Sequence, residues 1–186
     1  HKLKGDIKFE GLMLPANQDI SARITTPANL TIGAYHDIND KWSVMAEFGR
    51  TYWSSFDTLD IYGENNGKMS TTEERWKDTT FYAIGASYQY NDQWKFRVGF
   101  AVDQSAVGQE YRTPRIPDSD RLWYSSGIEY KYNDDWTFNL GYTYIRADKG
   151  KVKLLGYHDG DNARGSLQAD YENDIHILGF GASYNF

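Results

Sequence analysis

The feature that most constrains this chain is alternation with period two, sustained over runs of about 9 to 15 residues. Trp136, Phe138, Leu140, Tyr142 and Tyr144 share one face of such a run, while Thr137, Asn139, Gly141 and Thr143 share the other. Another sets Trp94, Phe96, Val98, Phe100 and Val102 against Lys95, Arg97, Gly99, Ala101 and Asp103. A third opposes Leu122, Tyr124, Ile128, Tyr130 and Tyr132 to Arg121, Ser125, Gly127, Glu129 and Lys131. The last opposes Leu178, Phe180, Ala182, Tyr184 and Phe186 to Gly179, Gly181, Ser183 and Asn185. The pattern predicts eight strands, at 2–10, 28–37, 42–56, 79–90, 94–107, 120–132, 136–149 and 172–186.

Punctuation between the runs falls into two kinds. Asn39-Asp40-Lys41-Trp42, Asn91-Asp92-Gln93-Trp94 and Asn133-Asp134-Asp135-Trp136 read as tight hairpin turns at one common end, with Asn and Asp expected in left-handed backbone positions. Segments 11–26, 57–78, 108–119 and 150–171 are longer and polar and read as loops. Short turns thus alternate with long loops, the pattern of an up-and-down meander.

A soluble sandwich also alternates, so three further features are needed to decide its surroundings. Aromatic residues cap the apolar face near the short turns: Trp42, Tyr88, Tyr90, Trp94, Tyr130, Tyr132, Trp136, Tyr184 and Phe186. Such a band suits an amphipathic ring at headgroup depth. The opposite face is Gly, Ser, Thr, Asn and charge, too small and polar for a dry core but natural for a wet or plugged lumen. The strands also have the length of a tilted span, about 9 to 11 residues, where soluble strands average about 5 or 6. In hydrocarbon every N–H and C=O needs a partner, so a spanning sheet must close. The expected fold is therefore all-β, an antiparallel up-and-down transmembrane β-barrel, with residues 1–186 forming one barrel domain or barrel segment.

Composition removes other classes. With 40% hydrophobic residues and a mean hydropathy of -0.71, the chain holds no apolar run long enough for a helical span. A net charge of -6 with scattered basic residues argues against a nucleic-acid partner. The absence of cysteine excludes a disulfide framework and a thiolate metal site or nucleophile. His1-Lys2-Leu3-Lys4-Gly5-Asp6 contains neither an apolar h-region nor a small-residue cleavage site, so a signal peptide is expected upstream or already removed.

Several co-linear motifs carry a family resemblance. The final run Gly179-Phe180-Gly181-Ala182-Ser183-Tyr184-Asn185-Phe186 looks like the terminal strand of bacterial outer-membrane proteins. Trp53-Ser54-Ser55-Phe56, Trp76-Lys77-Asp78, Asn91 to Gly99, Ile116 to Trp123 and Gly141-Tyr142-Thr143-Tyr144 resemble, in order and spacing, the FadL/TodX family of outer-membrane long-chain fatty-acid and hydrocarbon transporters. The resemblance runs from about residue 26 onward. It implies the last eight strands of a 14-stranded barrel, with the N-terminal hatch and about six early strands absent from this sequence. It implies location in the bacterial outer membrane, in contact with lipid and lipopolysaccharide, insertion by the barrel-assembly machinery, and a monomer. Hydrophobic small molecules such as long-chain fatty acids would pass by binding and passive diffusion, with no cofactor and no enzymatic step.

Within that frame the resemblance points to Leu12, Met13 and Leu14 as an apolar capture loop, and to Lys77, with Arg75 beside Trp76, as the basic group for an acid head; Trp53, Phe56 and Trp76 are pocket candidates. Parity turns Glu47, Arg97, Glu129, Lys95 and Lys131 toward the lumen. If Trp94 lies level with Tyr132, Arg97 faces Glu129, and charge pairing that fills the lumen is the plainer reading than a guide for ligand. The run His158-Asp159-Gly160-Asp161-Asn162 has alternating oxygen ligands but lacks a bidentate Glu, so a turn is expected and no metal site. No nucleophile, base and orienter cluster in sequence, and no enzyme is expected. The alternatives are a small structural or adhesive outer-membrane barrel without transport, an engineered smaller barrel, and a soluble sugar-binding sandwich.

Overall fold

Seven of the long alternating runs pair into one antiparallel sheet, in the order β13-β10-β9-β8-β7-β4-β3. The structure is a computed structural model that describes residues 2–7, 18–64, 67–156 and 165–186. The wall strands are β3 (Asn29–Asp37), β4 (Trp42–Thr51), β7 (Thr79–Gln89), β8 (Trp94–Asp103), β9 (Arg121–Lys131), β10 (Trp136–Ala147) and β13 (Asp174–Tyr184). Every sequence neighbour in this wall is a spatial neighbour, including the strand pairs β4–β7, β8–β9 and β10–β13 that longer excursions separate. Pairing is continuous, from Asn29↔Thr51 to Trp136↔Tyr184. The face predicted to be apolar is exposed: Leu178 and Phe180 are 75% and 76% accessible, a surface that only a nonpolar solvent can cover without loss.

The wall has one strand fewer than the alternation predicted. The run expected at 2–10 forms β1 (Lys2–Ile7), which pairs with β2 (Gln18–Arg23) in a separate sheet ordered β1-β2-β5-β6. That sheet also contains β5 (Thr58–Gly63) and β6 (Gly67–Glu73), so the segments read as loops at 11–26 and 57–78 contain strand. The physical reason is that β5 and β6 carry Thr, Ser, Asp and Lys beside few apolar residues, a composition that hides alternation once neither face meets lipid. The predicted loop 150–171 likewise holds a hairpin, β11 (Gly150–Leu154) and β12 (Leu167–Tyr171). Strand ends shift too: the 42–56 run stops at Thr51, before a single 3-10 turn at Trp53–Ser55.

The three Asn-Asp turns close as expected but by another device. None of these Asn or Asp residues has positive φ; among the described non-glycine residues only Arg75 does. Instead each Asn side chain folds back onto the chain. Asn91 Oδ1 accepts from the Gln93 and Trp94 amides at 3.0 and 2.8 Å, and Asn39 and Asn133 repeat the arrangement toward Trp42 and Trp136. The hairpins are then locked by Tyr90 N–H to Trp94 O at 2.9 Å and Tyr132 N–H to Trp136 O at 3.0 Å.

β3 and β13 form the two edges of the wall, and each is unpaired on its outer side among the described residues. Both run from the long-loop end toward the short-turn end. A seven-strand antiparallel wall cannot join these edges to each other without a parallel seam, because the strand directions match.

Candidate functional site

At the long-loop end the chain leaves the wall through Tyr52, whose N–H donates to Ala28 O at 3.0 Å. The returning segment zips to the outgoing one: Asp57 O accepts from the Glu74 and Arg75 amides at 2.8 and 2.9 Å, and Phe56 O accepts from Trp76 N–H at 3.3 Å. This pairing brings together three aromatic residues singled out in the sequence. The Trp53 and Trp76 ring centroids lie 4.8 Å apart and those of Phe56 and Trp76 4.9 Å, both edge-to-face. Phe56 is buried, and Trp76 anchors its indole by donating to Glu74 Oε2 at 3.0 Å. Asp78 ties the assembly to the wall, accepting from Ser54 N–H at 3.0 Å and facing Arg50 at 3.6 Å. The Ser54 side-chain and backbone hydrogen bonds, helped by Arg50, hold the Asp78 carboxyl below its ordinary range.

Arg75 and Lys77 flank Trp76 and turn toward a different neighbour. Arg75 has φ of 40°, a left-handed conformation costly for a residue that carries a Cβ, and its guanidinium sits 5.4 Å from the Tyr111 ring centroid. Lys77 N–H donates to Ala106 O at 2.8 Å, which places its exposed side chain beside Gly108. Both cations line a cavity of about 760 Å³ whose far side is the β11–β12 hairpin, with Lys151, Lys153 and Asp170. The apolar trio and this basic cavity are linked along the chain by Trp76 between Arg75 and Lys77, and none of the three aromatic residues lines the cavity itself. Leu12, Met13 and Leu14, and the 158–162 run, lie outside the described residues.

Inside the wall the charged residues do come together, in a register different from the expected one. Trp94 lies level with Tyr130, not Tyr132, so Lys95 directly faces Glu129 and Arg97 faces Gly127. Arg97 still reaches Glu129 diagonally in a close ion pair, and it donates to Asn139 Oδ1 at 3.3 Å; Lys95 Nζ stands 3.9 Å from Glu129. A Cβ at Gly127 would sit at ordinary contact distance, 3.7 Å, from Arg97 Cβ, so this position tolerates a small side chain. Lys131 instead pairs with Asp134 in the turn at 2.8 Å. Glu47 points inward and makes no ion pair among the described residues; it shares a recess of about 570 Å³ with Arg97.

On the outer face each short-turn Trp stacks on a Tyr directly opposite it. Trp42–Tyr88, Trp94–Tyr130 and Trp136–Tyr184 have centroids 4.6, 4.4 and 4.9 Å apart. Tyr90, Tyr132 and Phe186 extend the band, packing at 6.4, 6.4 and 5.0 Å on Phe96, Tyr130 and Tyr184. A second band near the long-loop ends went unrecognised in the sequence: Phe48–Tyr82, Phe100–Tyr124 and Tyr144–His176, at 5.5, 5.4 and 5.0 Å. Its signal was present as aromatics at matching parity, but it lacks a repeated turn motif to mark the height. Lys151 and Lys153 were also missed, because Lys-Val-Lys-Leu is too short a run to separate from loop.

Comparison with known proteins agrees with this architecture. The family described as outer membrane protein transport protein (OMPP1/FadL/TodX) matches residues 1–186. The chain is 29% identical over 171 residues to a long-chain fatty acid transport protein of Escherichia coli O6:H1 strain CFT073, covering 92% of this chain and 36% of that one. It is 29% identical over 180 residues to outer membrane protein P1 of Haemophilus influenzae Rd, covering 95% and 39%. Among solved structures, a Pseudomonas aeruginosa FadL homologue superimposes with a TM-score of 0.86 at 26% identity, over 98% of this chain and 46% of that one. The Pseudomonas putida toluene transporter TodX shares the fold, with a TM-score of 0.63 at 21% identity over 99% and 42%. The chain therefore spans less than half the length of each of these relatives, and its wall is part of an outer-membrane β-barrel. It belongs to the OMPP1/FadL/TodX family of outer-membrane transport proteins.

Proposed function

We propose that this chain is the segment of an outer-membrane barrel that admits hydrophobic compounds, with long-chain fatty acids as the substrate, by binding and passive diffusion rather than by catalysis. The observation that supports this most is the cavity that Arg75 and Lys77 line together with the apolar Leu155 and the Tyr111 ring, while the Trp53–Phe56–Trp76 trio packs on the same chain segment through Trp76. Aromatic edges give an acyl chain apolar contact, while Lys77 and Arg75 offer charge to a carboxylate. Leu12, Met13 and Leu14 would collect ligand from outside. The Arg97–Glu129–Lys95 group and Glu47 line the lumen, where the paired charges fill space more than they guide ligand.

The aromatic band beside the short turns would sit at one membrane interface, with the rest of the outer face in lipid and lipopolysaccharide at the long-loop side. Residues 1–186 are read as one segment of a larger, monomeric barrel set in place by the barrel-assembly machinery. Antiparallel closure between β13 and β3 requires an odd number of additional strands, which a 14-stranded barrel satisfies. The test is uptake of labelled oleate by cells carrying the complete protein. Saturable uptake that falls in a Trp76→Ala variant with unchanged surface abundance supports the reading. Uptake equal to that of cells lacking the protein would leave a structural barrel with a packed lumen.

A further inference from the structure

The β11–β12 hairpin does more than extend a loop. Gly150 presses against the 104–119 segment: a Cβ there would meet Pro117 O at 3.3 Å and Arg112 Cδ at 3.4 Å. The approach is pinned by Arg112, a buried residue whose Nε donates to Asp118 O at 2.6 Å and whose guanidinium also donates to Lys151 O at 3.1 Å. Ser119 Oγ donates to Asp148 O at 2.6 Å, and Asp148 N–H to Asp120 O at 2.8 Å, fixing the start of the hairpin. Val152 and Leu154 turn inward and are buried. Alternation then leaves Lys151 and Lys153 exposed on the other face, across the cavity from Lys77.

Among the described residues, Lys77, Lys151 and Lys153 make no ion pair, and all three line one cavity. Two acids, Glu110 and Asp170, also line it, and Asp170 stands opposite Lys151 in the hairpin register. With Arg75, whose guanidinium already pairs with Glu73 at 3.4 Å, the lining carries four basic groups against two acidic ones. Leu155, Tyr111 and Ala169 supply apolar wall in the same space. A cavity that is both cationic and partly apolar suits the ionised carboxylate end of an amphipathic acid better than an inorganic anion, which leaves apolar surface wet, or a neutral hydrocarbon, which leaves the ammonium groups idle.

We propose that Lys151 and Lys153 are specificity-determining residues that make this vestibule prefer carboxylate-bearing lipids over neutral ones, and that Arg112 is the positioning residue that holds them there. This rests on the proposed function, because it refines the ligand of the same cavity. The hairpin is a second cationic jaw facing Lys77, and its charge acts on the head group alone.

The test compares oleate with its uncharged methyl ester, each titrated at pH 8 and low salt into the purified complete protein. In Lys151→Gln/Lys153→Gln, oleate affinity falls by about fivefold, the summed effect of two exposed charge pairs, while methyl oleate affinity stays within about twofold. Lys151→Arg/Lys153→Arg retains oleate binding, which separates charge from misfolding. Arg112→Lys keeps most of the preference, whereas Arg112→Gln lowers it without altering methyl oleate binding. Equal loss of both ligands, no loss of either, or displacement of oleate by millimolar inorganic phosphate overturns the inference. Wild-type protein that binds neither ligand overturns the proposed function along with it.

Discussion

Leu178→Arg asks directly what solvent touches the outer face. Leu178 lies near the middle of β13, an 11-residue strand, level with Tyr142 of β10, and is 75% exposed. At a rise of about 3.3 Å per residue and a tilt of about 40°, such a strand stands about 28 Å tall, enough to cross the apolar band of about 25 Å. Leu178 is then close to the bilayer midplane. Arg at that depth costs about 2–4 kcal/mol, a shift of about 30- to 1,000-fold in the folding equilibrium. If the same face were in water, Arg at so exposed a site would change stability by about 0.5 kcal/mol at most. The complete protein would be refolded into phosphatidylcholine vesicles across a guanidinium series, with folded fraction read from heat-resistant gel mobility. Ser183→Arg, on the lumen side of the same strand, serves as the control. A Leu178→Arg midpoint equal to wild type refutes the assignment of faces.

Four further outcomes follow from local geometry. Gly179→Ala is neutral or stabilising by up to about 1 kcal/mol, because an added Cβ meets nothing, whereas Gly85→Ala costs about 1–3 kcal/mol since its Cβ would strike Met45 Cγ at 3.1 Å and Val98 O at 3.2 Å; denaturation midpoints of both decide. Asn91→Ala leaves two turn amides without their acceptor and costs about 1–2 kcal/mol, and a change of under a few tenths would show that the turn needs no side-chain closure. Glu129→Gln costs only about 0.2–1 kcal/mol and leaves oleate uptake intact; abolished uptake would make the lumen charges part of the path. Asp78 has its folded pKa lowered, so its stabilising effect is present above the ordinary carboxylate value near pH 4 and is lost as pH falls through the depressed one. Exchange protection of the Ser54 amide should therefore hold in mild acid, at about pH 5, and weaken only below the ordinary carboxylate value; protection already lost at about pH 5 would contradict this.

How much could be read in advance depended on whether lipid imposed a pattern. Phe138, Leu140 and Tyr142 alternate with Asn139, Gly141 and Thr143 because oil and lumen demand opposite chemistry, and the wall strands were legible for that reason. Thr58–Gly63 and Gly67–Glu73 meet no such contrast, so their pairing depends on tertiary context and was invisible. The register of β8 on β9 slid by two residues from the expected one because a long connection, unlike a tight turn, leaves pairing unspecified. Trp53, Phe56, Trp76 and Lys77 were singled out as candidates through family likeness. What no single-sequence pattern could supply was their convergence, since Asp57 O joins two segments through a return path of separate strands. Lys151 and Lys153 gained a place only once Arg112 docked the hairpin.

The Phe and Leu rank faces lipid while the Asn and Gly rank faces the enclosed lumen. The chain has no cysteine, so single cysteines at positions 138 to 143 can each carry a nitroxide without background labelling. In bilayers, oxygen-dominated relaxation is expected at 138, 140 and 142, and stronger relaxation by a water-soluble nickel complex at 139, 141 and 143. Equal shielding of both ranks from both reagents, as in a dry sandwich, would contradict it.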